Sequence, residues 1–270
     1  MACPPTILVF DSGLGGLTVL REVARLRGDA RLVYVADDAF FPYGAHSEAA
    51  LISRVMPLIG ELIAAQRADL VVIACNTAST IVLPHLRARF NTPFVGTVPA
   101  IKPACATSRS KRVSVLGTEA TVAREYTKTL IREFGEGCEV TLVGSARLAS
   151  LAEAALRGEP VEEAVISAEI APCFVGKGRR TDTVVLACTH FPLLIDRLER
   201  LAPWPVAWID PAPAVARRVV DLIGPPEGGK APPARAIFTS GRALTPALAA
   251  AAARFGLGEV LAFDSANPGA

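Results

Sequence analysis

Short, nearly continuous apolar runs punctuate the chain at Ile7 to Phe10, Leu32 to Val35, Leu70 to Ala74, Phe94 to Val95, Val113 to Leu116, Val140 to Val143 and Val184 to Ala187. Later runs fall at Val206 to Ile209 and Ala236 to Phe238. Runs this short, without polar alternation, predict strands buried on both faces. Between most of them apolar residues recur at helical spacing, over Leu17 to Leu26, Glu48 to Ala65, Thr80 to Phe90, Thr121 to Phe134, Ala146 to Leu156 and Val161 to Val175. Strands alternating with helices predict an α/β protein whose parallel sheets are covered on both faces. An Ala-rich helix from Ala247 to Arg254 and a short final strand are expected to rejoin the first half.

One run is echoed. Val71-Val72-Ile73-Ala74-Cys75-Asn76-Thr77 reappears as Val184-Val185-Leu186-Ala187-Cys188-Thr189-His190, and Ile7 to Gly13 has a fainter counterpart in Val113 to Glu119. The two offsets are similar, which suggests two related α/β halves. Any buried parallel strand resembles Val-Val-Ile-Ala, but Cys at the same place in both copies argues against coincidence. Gly/Pro clusters at Gly96 to Pro103, Pro203 to Pro205, Pro211 to Pro213 and Gly224 to Pro233 mark loops or crossings. The expected organisation is a discontinuous first domain, residues 1–97 plus 211–270, and a second domain, 98–210.

Composition narrows the function classes. The 270 residues carry 28 Lys+Arg against 26 Asp+Glu, a net charge of only +2, with Arg scattered rather than striped. Nucleic acid is therefore not an expected partner. No apolar run reaches the roughly 18 residues of a membrane span, and Met1 to Pro5 lack a signal-peptide pattern, so a cytoplasmic protein is expected. Six cysteines (Cys3, Cys75, Cys105, Cys138, Cys173, Cys188) form no CxxC pair and are expected as reduced thiols.

Ligands of open parallel sheets gather beyond the carboxyl ends of the strands. Cys75 and Cys188 both fall there, ahead of expected helices whose positive ends favour a thiolate. A lone cysteine in such a run reads as a small core hydrophobe. Paired by the echo, and followed by Asn76-Thr77 and Thr189-His190, the two read as acid/base chemistry; Cys3, Cys105, Cys138 and Cys173 read as structural. Asp11-Ser12-Gly13-Leu14-Gly15-Gly16 invites a dinucleotide reading, with Asp37 downstream. The third glycine position falls on Thr18, however, and Asp11 would repel a pyrophosphate. Asp11 is better placed to hold an ammonium group or orient a thiol. Phe41-Pro42-Tyr43-Gly44 forms a rigid loop with a hydroxyl to offer. His190 lies two residues from Cys188, whereas His46 and His85 read as exposed. Cys188 and His190 lack further metal ligands at suitable spacing, and no Lys sits at a strand end for a pyridoxal Schiff base. Neither metal nor cofactor is expected.

Together Val9 to Gly16, Phe41 to Gly44, Ala74 to Ser79 and Ala187 to Leu193 resemble the motif set of the aspartate/glutamate racemase superfamily, glutamate branch. The resemblance runs from about residue 7 to about residue 222. It implies two pseudo-symmetric α/β domains with the active site between them, and cofactor-independent inversion at the Cα of glutamate, supplying D-glutamate for peptidoglycan precursors, often by a homodimer. Cys75 and Cys188 are then the proton-transfer residues, with Asp11 assisting Cys75, and His190 and Glu153 assisting Cys188. Substrate contacts fall to Asp11, Ser12, Pro42, Tyr43, Gly44, Cys75, Asn76, Thr77, Thr118, Thr121, Cys188, Thr189 and His190. Two departures stand out: Phe40-Phe41 where an Arg often precedes Pro-Tyr-Gly, and Ser145 to Leu151 in place of a Pro-containing apolar stretch before Glu153. Competing readings are a racemase of aspartate or another small amino acid, a decarboxylase or isomerase of the same fold, and a non-catalytic two-lobed binding protein.

Overall fold

The computed structural model describes residues 4–229 and 231–261. It divides into two compact units, one containing the residues up to Thr97 and those from Ala212 onward, the other Val98–Pro211.

The first unit begins β1 (Thr6–Asp11), α1 (Leu17–Leu26), β2 (Arg31–Ala36), α2 (Glu48–Gln66), β3 (Leu70–Ile73), α3 (Asn76–Arg89), β4 (Phe94–Gly96). The second contains α4 (Ile101–Thr107), β5 (Arg112–Thr118), α5 (Glu119–Ala123), α6 (Glu125–Phe134), β6 (Glu139–Ser145), α7 (Leu148–Leu156), α8 (Glu163–Ile170), a small antiparallel hairpin β7 (Gly176–Lys177) and β8 (Arg179–Arg180), β9 (Thr183–Ala187), α9 (Ile195–Leu201) and β10 (Ala207–Ile209). The chain then returns to the first unit with α10 (Ala212–Ile223), β11 (Ala234–Phe238), α11 (Pro246–Ala253) and β12 (Leu257–Leu261).

Both large sheets are parallel, in the orders β12-β11-β2-β1-β3-β4 and β10-β9-β5-β6. The expected α/β class therefore holds. Ile7, Leu8, Val9 and Phe10 of the central strand are all fully buried, because helices cover both faces, and this is why the run has no polar alternation. Leu51, Val55, Leu58, Ile59 and Leu62 line one face of α2 and join Leu8, Phe10, Val33 and Val35 in a single apolar cluster. Each such side chain contributes about 1.5–3 kcal/mol by leaving water.

A buried ion pair turns α1 into β2. The Arg27 guanidinium donates to both oxygens of Asp29, at 2.9 Å each, and to the carbonyls of Ile223 and Gly224 at the end of α10. Arg27 holds the Asp29 carboxyl below its usual range. A buried guanidinium is tolerated here because its donors are used; removing one partner of such a pair costs about 3–5 kcal/mol.

The helices differ from the sequence expectation in ways that local chemistry explains. The expected helix from Thr121 to Phe134 is two helices, broken where Arg124 adopts extended backbone (φ −66°, ψ 139°). There the Thr127 hydroxyl donates to the Thr121 carbonyl at 2.7 Å, a side-chain alternative to a continuing helix. The stretch from Val161 to Val175 ends as α8 at Ile170 and a 3-10 turn, since Pro172 has no N–H to continue it. Part of the expected Gly96–Pro103 loop is α4, whose first turn accommodates Pro103. The helix expected from Thr80 starts at Asn76, and α9 and α10 were not expected. Cys3 lies outside the described residues. Among the described residues no helix is long and apolar enough to cross a membrane.

The echo in the sequence has a counterpart in topology. Within the first sheet the order β2-β1-β3-β4 matches β6-β5-β9-β10 in the second. In both, a central strand has its next sheet strand on one side and a cysteine-terminated strand on the other. The cysteines thus lie at the two switch points, where parallel sheets hold ligands.

Candidate active site

In the first unit the carboxyl ends of β1, β2 and β3 lie side by side. The Asp37 N–H donates to the Asp11 carbonyl at 2.8 Å, and the Ala74 N–H to the Phe10 carbonyl at 2.7 Å, so the residues just past each strand are neighbours. Asp11 is fully buried and accepts the Gly13 N–H at 2.9 Å. Cys75, 6% exposed, is the N-cap of the 14-residue helix α3, so its sulfur sits at the positive end of that helix. Its thiol lies 3.8 Å from the Ser12 hydroxyl. Asn76 and Thr77 follow in the first turn of α3, both buried. Among the described residues, neither polar atom of the Asn76 amide has a hydrogen-bond partner. An unmet buried amide is costly, about 1–3 kcal/mol, and suits a ligand that would complete it.

Gly16 shows how tightly this corner is built. A Cβ there would lie 2.7 Å from the Asp11 Cβ and 3.1 Å from the Ala74 Cβ, so only glycine lets α1 pass over the strand ends. The loop after β2 brings Tyr43 in while Pro42 and Gly44 stay exposed. The Tyr43 hydroxyl donates to Asp37 at 2.7 Å. Burial pushes its ionisation well above 10, with the charges of Asp37, Cys75 and Asp11 adding to the effect. Asp37, downstream of the glycine run that invited a dinucleotide reading, is instead held by protein donors.

The second unit has its own cluster. Cys188, 6% exposed, follows β9, but its setting differs from the expectation. A turn and a 3-10 segment, Phe191–Leu194, come next, and the following α-helix begins only at Ile195, so Cys188 does not cap it as Cys75 caps α3. His190 stands beside the thiol instead, with Nδ1 3.9 Å from the Cys188 sulfur and Nε2 3.0 Å from a Glu153 oxygen. The other Glu153 oxygen accepts from Arg157 at 2.8 Å, one turn on along α7. His190 and Glu153 are both buried. A carboxylate beside Nε2 favours the tautomer with the proton there, in which Nδ1 faces the Cys188 sulfur as an acceptor. Despite the unusual Ser145 to Leu151 stretch, α7 therefore sets Glu153 against His190.

Thr118 ends β5 one step beyond the Gly117–Ala187 pair, which puts it beside the start of the Cys188 turn. Its hydroxyl caps α5 by accepting the Thr121 N–H at 3.1 Å and lies 2.9 Å from the Thr121 hydroxyl. Thr121 and Thr189 are buried. Burial pushes Cys105 and Cys173 up to about 12, as expected of inert core thiols, and the Cys138 thiol donates to the Cys105 carbonyl at 3.6 Å. Arg157, Arg54 and Thr239 are partners that sequence reasoning missed. Arg157 was within reach as the i+4 neighbour of Glu153; Arg54 and Thr239 meet Asp37 only through the fold. A separate cavity of about 420 Å³ in the first unit, lined in part by Phe238, Arg242, Leu244 and Leu261, contains none of the candidate residues.

Parallel α/β units, each with a buried thiol at its switch point, describe a racemase, and the comparisons agree. The chain belongs to the Asp/Glu/hydantoin racemase family, whose profile matches residues 14–219, and it is an isomerase of that class. It is 58% identical to the glutamate racemase of Brucella anthropi over 221 residues, covering 81% of this chain and 80% of that one. Among solved structures it resembles Escherichia coli glutamate racemase in complex with L-glutamate and an activator, with 40% identity, 96% and 97% coverage and a TM-score of 0.86. The glutamate racemase of Aquifex pyrophilus is similar at 30% identity, with 93% and 94% coverage and a TM-score of 0.69.

Proposed function

We propose that the protein interconverts L- and D-glutamate without a cofactor, using Cys75 and Cys188 as two acid/base thiols. The observation that carries this reading is the duplication of a buried thiol at the equivalent position of two parallel sheets. Inversion at Cα needs a base on one face and an acid on the other, since one group returning its proton would regenerate the starting enantiomer. In one direction Cys75 removes the proton as thiolate while Cys188 delivers one as thiol; in the other the roles exchange.

The two thiols are prepared differently. Cys75 has the amide dipoles of α3 and the nearby Asp11 and Ser12; Cys188 has His190, oriented by Glu153 and Arg157. The unpartnered Asn76 amide supports a role in holding a substrate carboxylate, together with Ser12, Thr77, Tyr43 and Gly44 in the first unit. Thr118, Thr121, Thr189 and His190 are assigned as contacts from the second unit. Glutamate is assigned by similarity to the named relatives. On this reading the protein works in the cytoplasm and supplies D-glutamate to peptidoglycan precursors.

The test is incubation with L-glutamate in D2O without added cofactor, following optical rotation and the Cα proton signal. Rotation decaying to zero with deuterium entering Cα is expected. Cys75→Ser and Cys188→Ser should each lower racemisation by about 10²–10⁴-fold. Turnover of aspartate but not glutamate would move the substrate, and silence with both would leave a binding protein.

A further inference from the structure

The proton-transfer scheme leaves a buried carboxylate at the strand ends, Asp37, unused. Asp37 is fully buried just past the end of β2 and receives donors from three directions. The Tyr43 hydroxyl donates at 2.7 Å, the Thr239 hydroxyl at 2.7 Å, and the Arg54 guanidinium through Nη2 at 2.6 Å and Nε at 3.1 Å. Tyr43 comes from the substrate loop, Arg54 from α2 and Thr239 from the end of β11. We infer that Arg54 and Thr239, acting through Asp37, are positioning residues for the Tyr43–Gly44 segment of the substrate site, a role that rests on the racemase reading above.

Tyr43 is the buried residue of an otherwise solvent-facing loop, with Pro42, Gly44 and Ala45 exposed. Its ring packs near Phe10 and Phe40, at centroid distances of 6.5 and 6.3 Å, and its hydroxyl reaches Asp37. Fixing that side chain fixes the backbone that follows it. The loop is fastened again where it leaves Asp37. The Thr239 hydroxyl donates to Asp37 and accepts the Ala39 N–H at 3.2 Å, so both its capacities are used. Next to it, the Ser240 N–H and hydroxyl donate to the two Asp38 oxygens at 2.9 and 2.5 Å. Arg54 forms an ion pair with Asp37, and its guanidinium lies over the Phe40 ring, 6.0 Å from the centroid. Phe40 belongs to the Phe40-Phe41 pair that stands where the resemblance led one to expect an Arg. In this chain a guanidinium reaches the loop from α2 instead.

The chemistry follows from the charge on Asp37. As a carboxylate it can only accept, so the Tyr43 hydroxyl must donate and keeps its proton beside Cys75 and Asp11. A neutral carboxyl, or a missing Thr239 hydroxyl, would release the tyrosine from that single orientation. The loop would then spend part of its time away from the position in which it meets substrate, which weakens binding more than the chemical step.

Steady-state racemisation by Thr239→Val, Tyr43→Phe and the double variant tests this. Thr239→Val should raise KM for glutamate about tenfold with kcat within about threefold, and should add no more than about twofold on top of Tyr43→Phe. An undiminished Thr239→Val effect in the Tyr43→Phe background would overturn the proposal, since the path would not pass through the tyrosine. Arg54→Lys should recover a substantial part of the KM lost in Arg54→Gln. A second readout needs no substrate. In an alkaline absorbance titration, Asp37→Asn should make Tyr43 ionise at lower pH than in the parent, the curves of Tyr34 and Tyr126 being unchanged. Superimposable titrations would sink the anchor whatever the kinetics. A parent inert toward glutamate but showing the tyrosinate shift would defeat the substrate assignment instead.

Discussion

At the scale of single residues, the two thiols have the same place in the topology and different neighbours. Cys75 depends on where α3 starts, and α1 must pass close enough to leave Asp11 enclosed. Gly16 permits that approach, so Gly16→Ala should be a site mutation without touching a catalytic group. With its Cβ 2.7 Å from that of Asp11, the helix or the strand end must shift. The expected cost is about 1–3 kcal/mol in urea unfolding, with a fall in kcat of about tenfold or more as Asp11 is displaced. A fully active, fully stable variant would show that this corner tolerates movement. Much of the site was legible in the sequence because its parts are contiguous in the chain: Asp11-Ser12, Cys75-Asn76-Thr77 and Cys188-Thr189-His190 each follow a recognisable strand. The setting of Asp37 was not, because Arg54 and Thr239 approach it from elements 17 and 202 residues away.

At the scale of elements, strands were easier to read than helices. A strand buried on both faces announces itself by an unbroken apolar run, whereas a helix end is decided by one or two hydrogen bonds. Arg124 carries no Gly or Pro signal, yet α5 stops there because a threonine side chain competes for the carbonyl. Asp182, at the start of β9, is another such local device. It accepts from the Ser108 hydroxyl at 2.6 Å, the Arg109 and Ser110 amides at 2.8 and 2.7 Å, and the Thr183 hydroxyl at 2.9 Å, tying the turn after α4 to the strand that leads to Cys188. Burial pushes this carboxyl up, but the hydrogen bonds from Ser108, Ser110, Thr183 and Arg109 outweigh it and bring it to about 2. A carboxyl depressed in the folded state contributes stability above its unfolded pKa of about 3.9 and loses it as pH falls through the folded value. After allowance for solvent screening, Asp182→Asn should cost about 1–2 kcal/mol at neutral pH. In denaturant titrations across pH, the gap between variant and parent should close between about pH 4 and about pH 2; a gap independent of pH would assign the loss to packing.

At the scale of the whole molecule, the echo of two strands extends in topology to four in each sheet but not to β11 and β12, which have no counterpart in the second sheet among the described residues. The sequence repeat could be read because the duplicated strands keep their apolar runs; the added pair had no partner copy to reveal where it docks. It docks on β2, with Arg235 to Phe238 in register with Val33 to Ala36. Five of the six β2 residues are buried, so without β11 the sheet would end in an apolar edge with open hydrogen-bonding groups. Thr239 follows directly on the same strand, which so carries part of the Asp37 anchor. A chain stopped after Gly229 should therefore fail twice, by exposing β2 and by freeing the substrate loop. Size-exclusion chromatography should show aggregate rather than a single species, and any soluble fraction should bind glutamate more weakly than the parent. A monodisperse truncated protein with unchanged KM would mean that the first four strands are sufficient for both folding and substrate positioning, and that β11 and β12 serve neither.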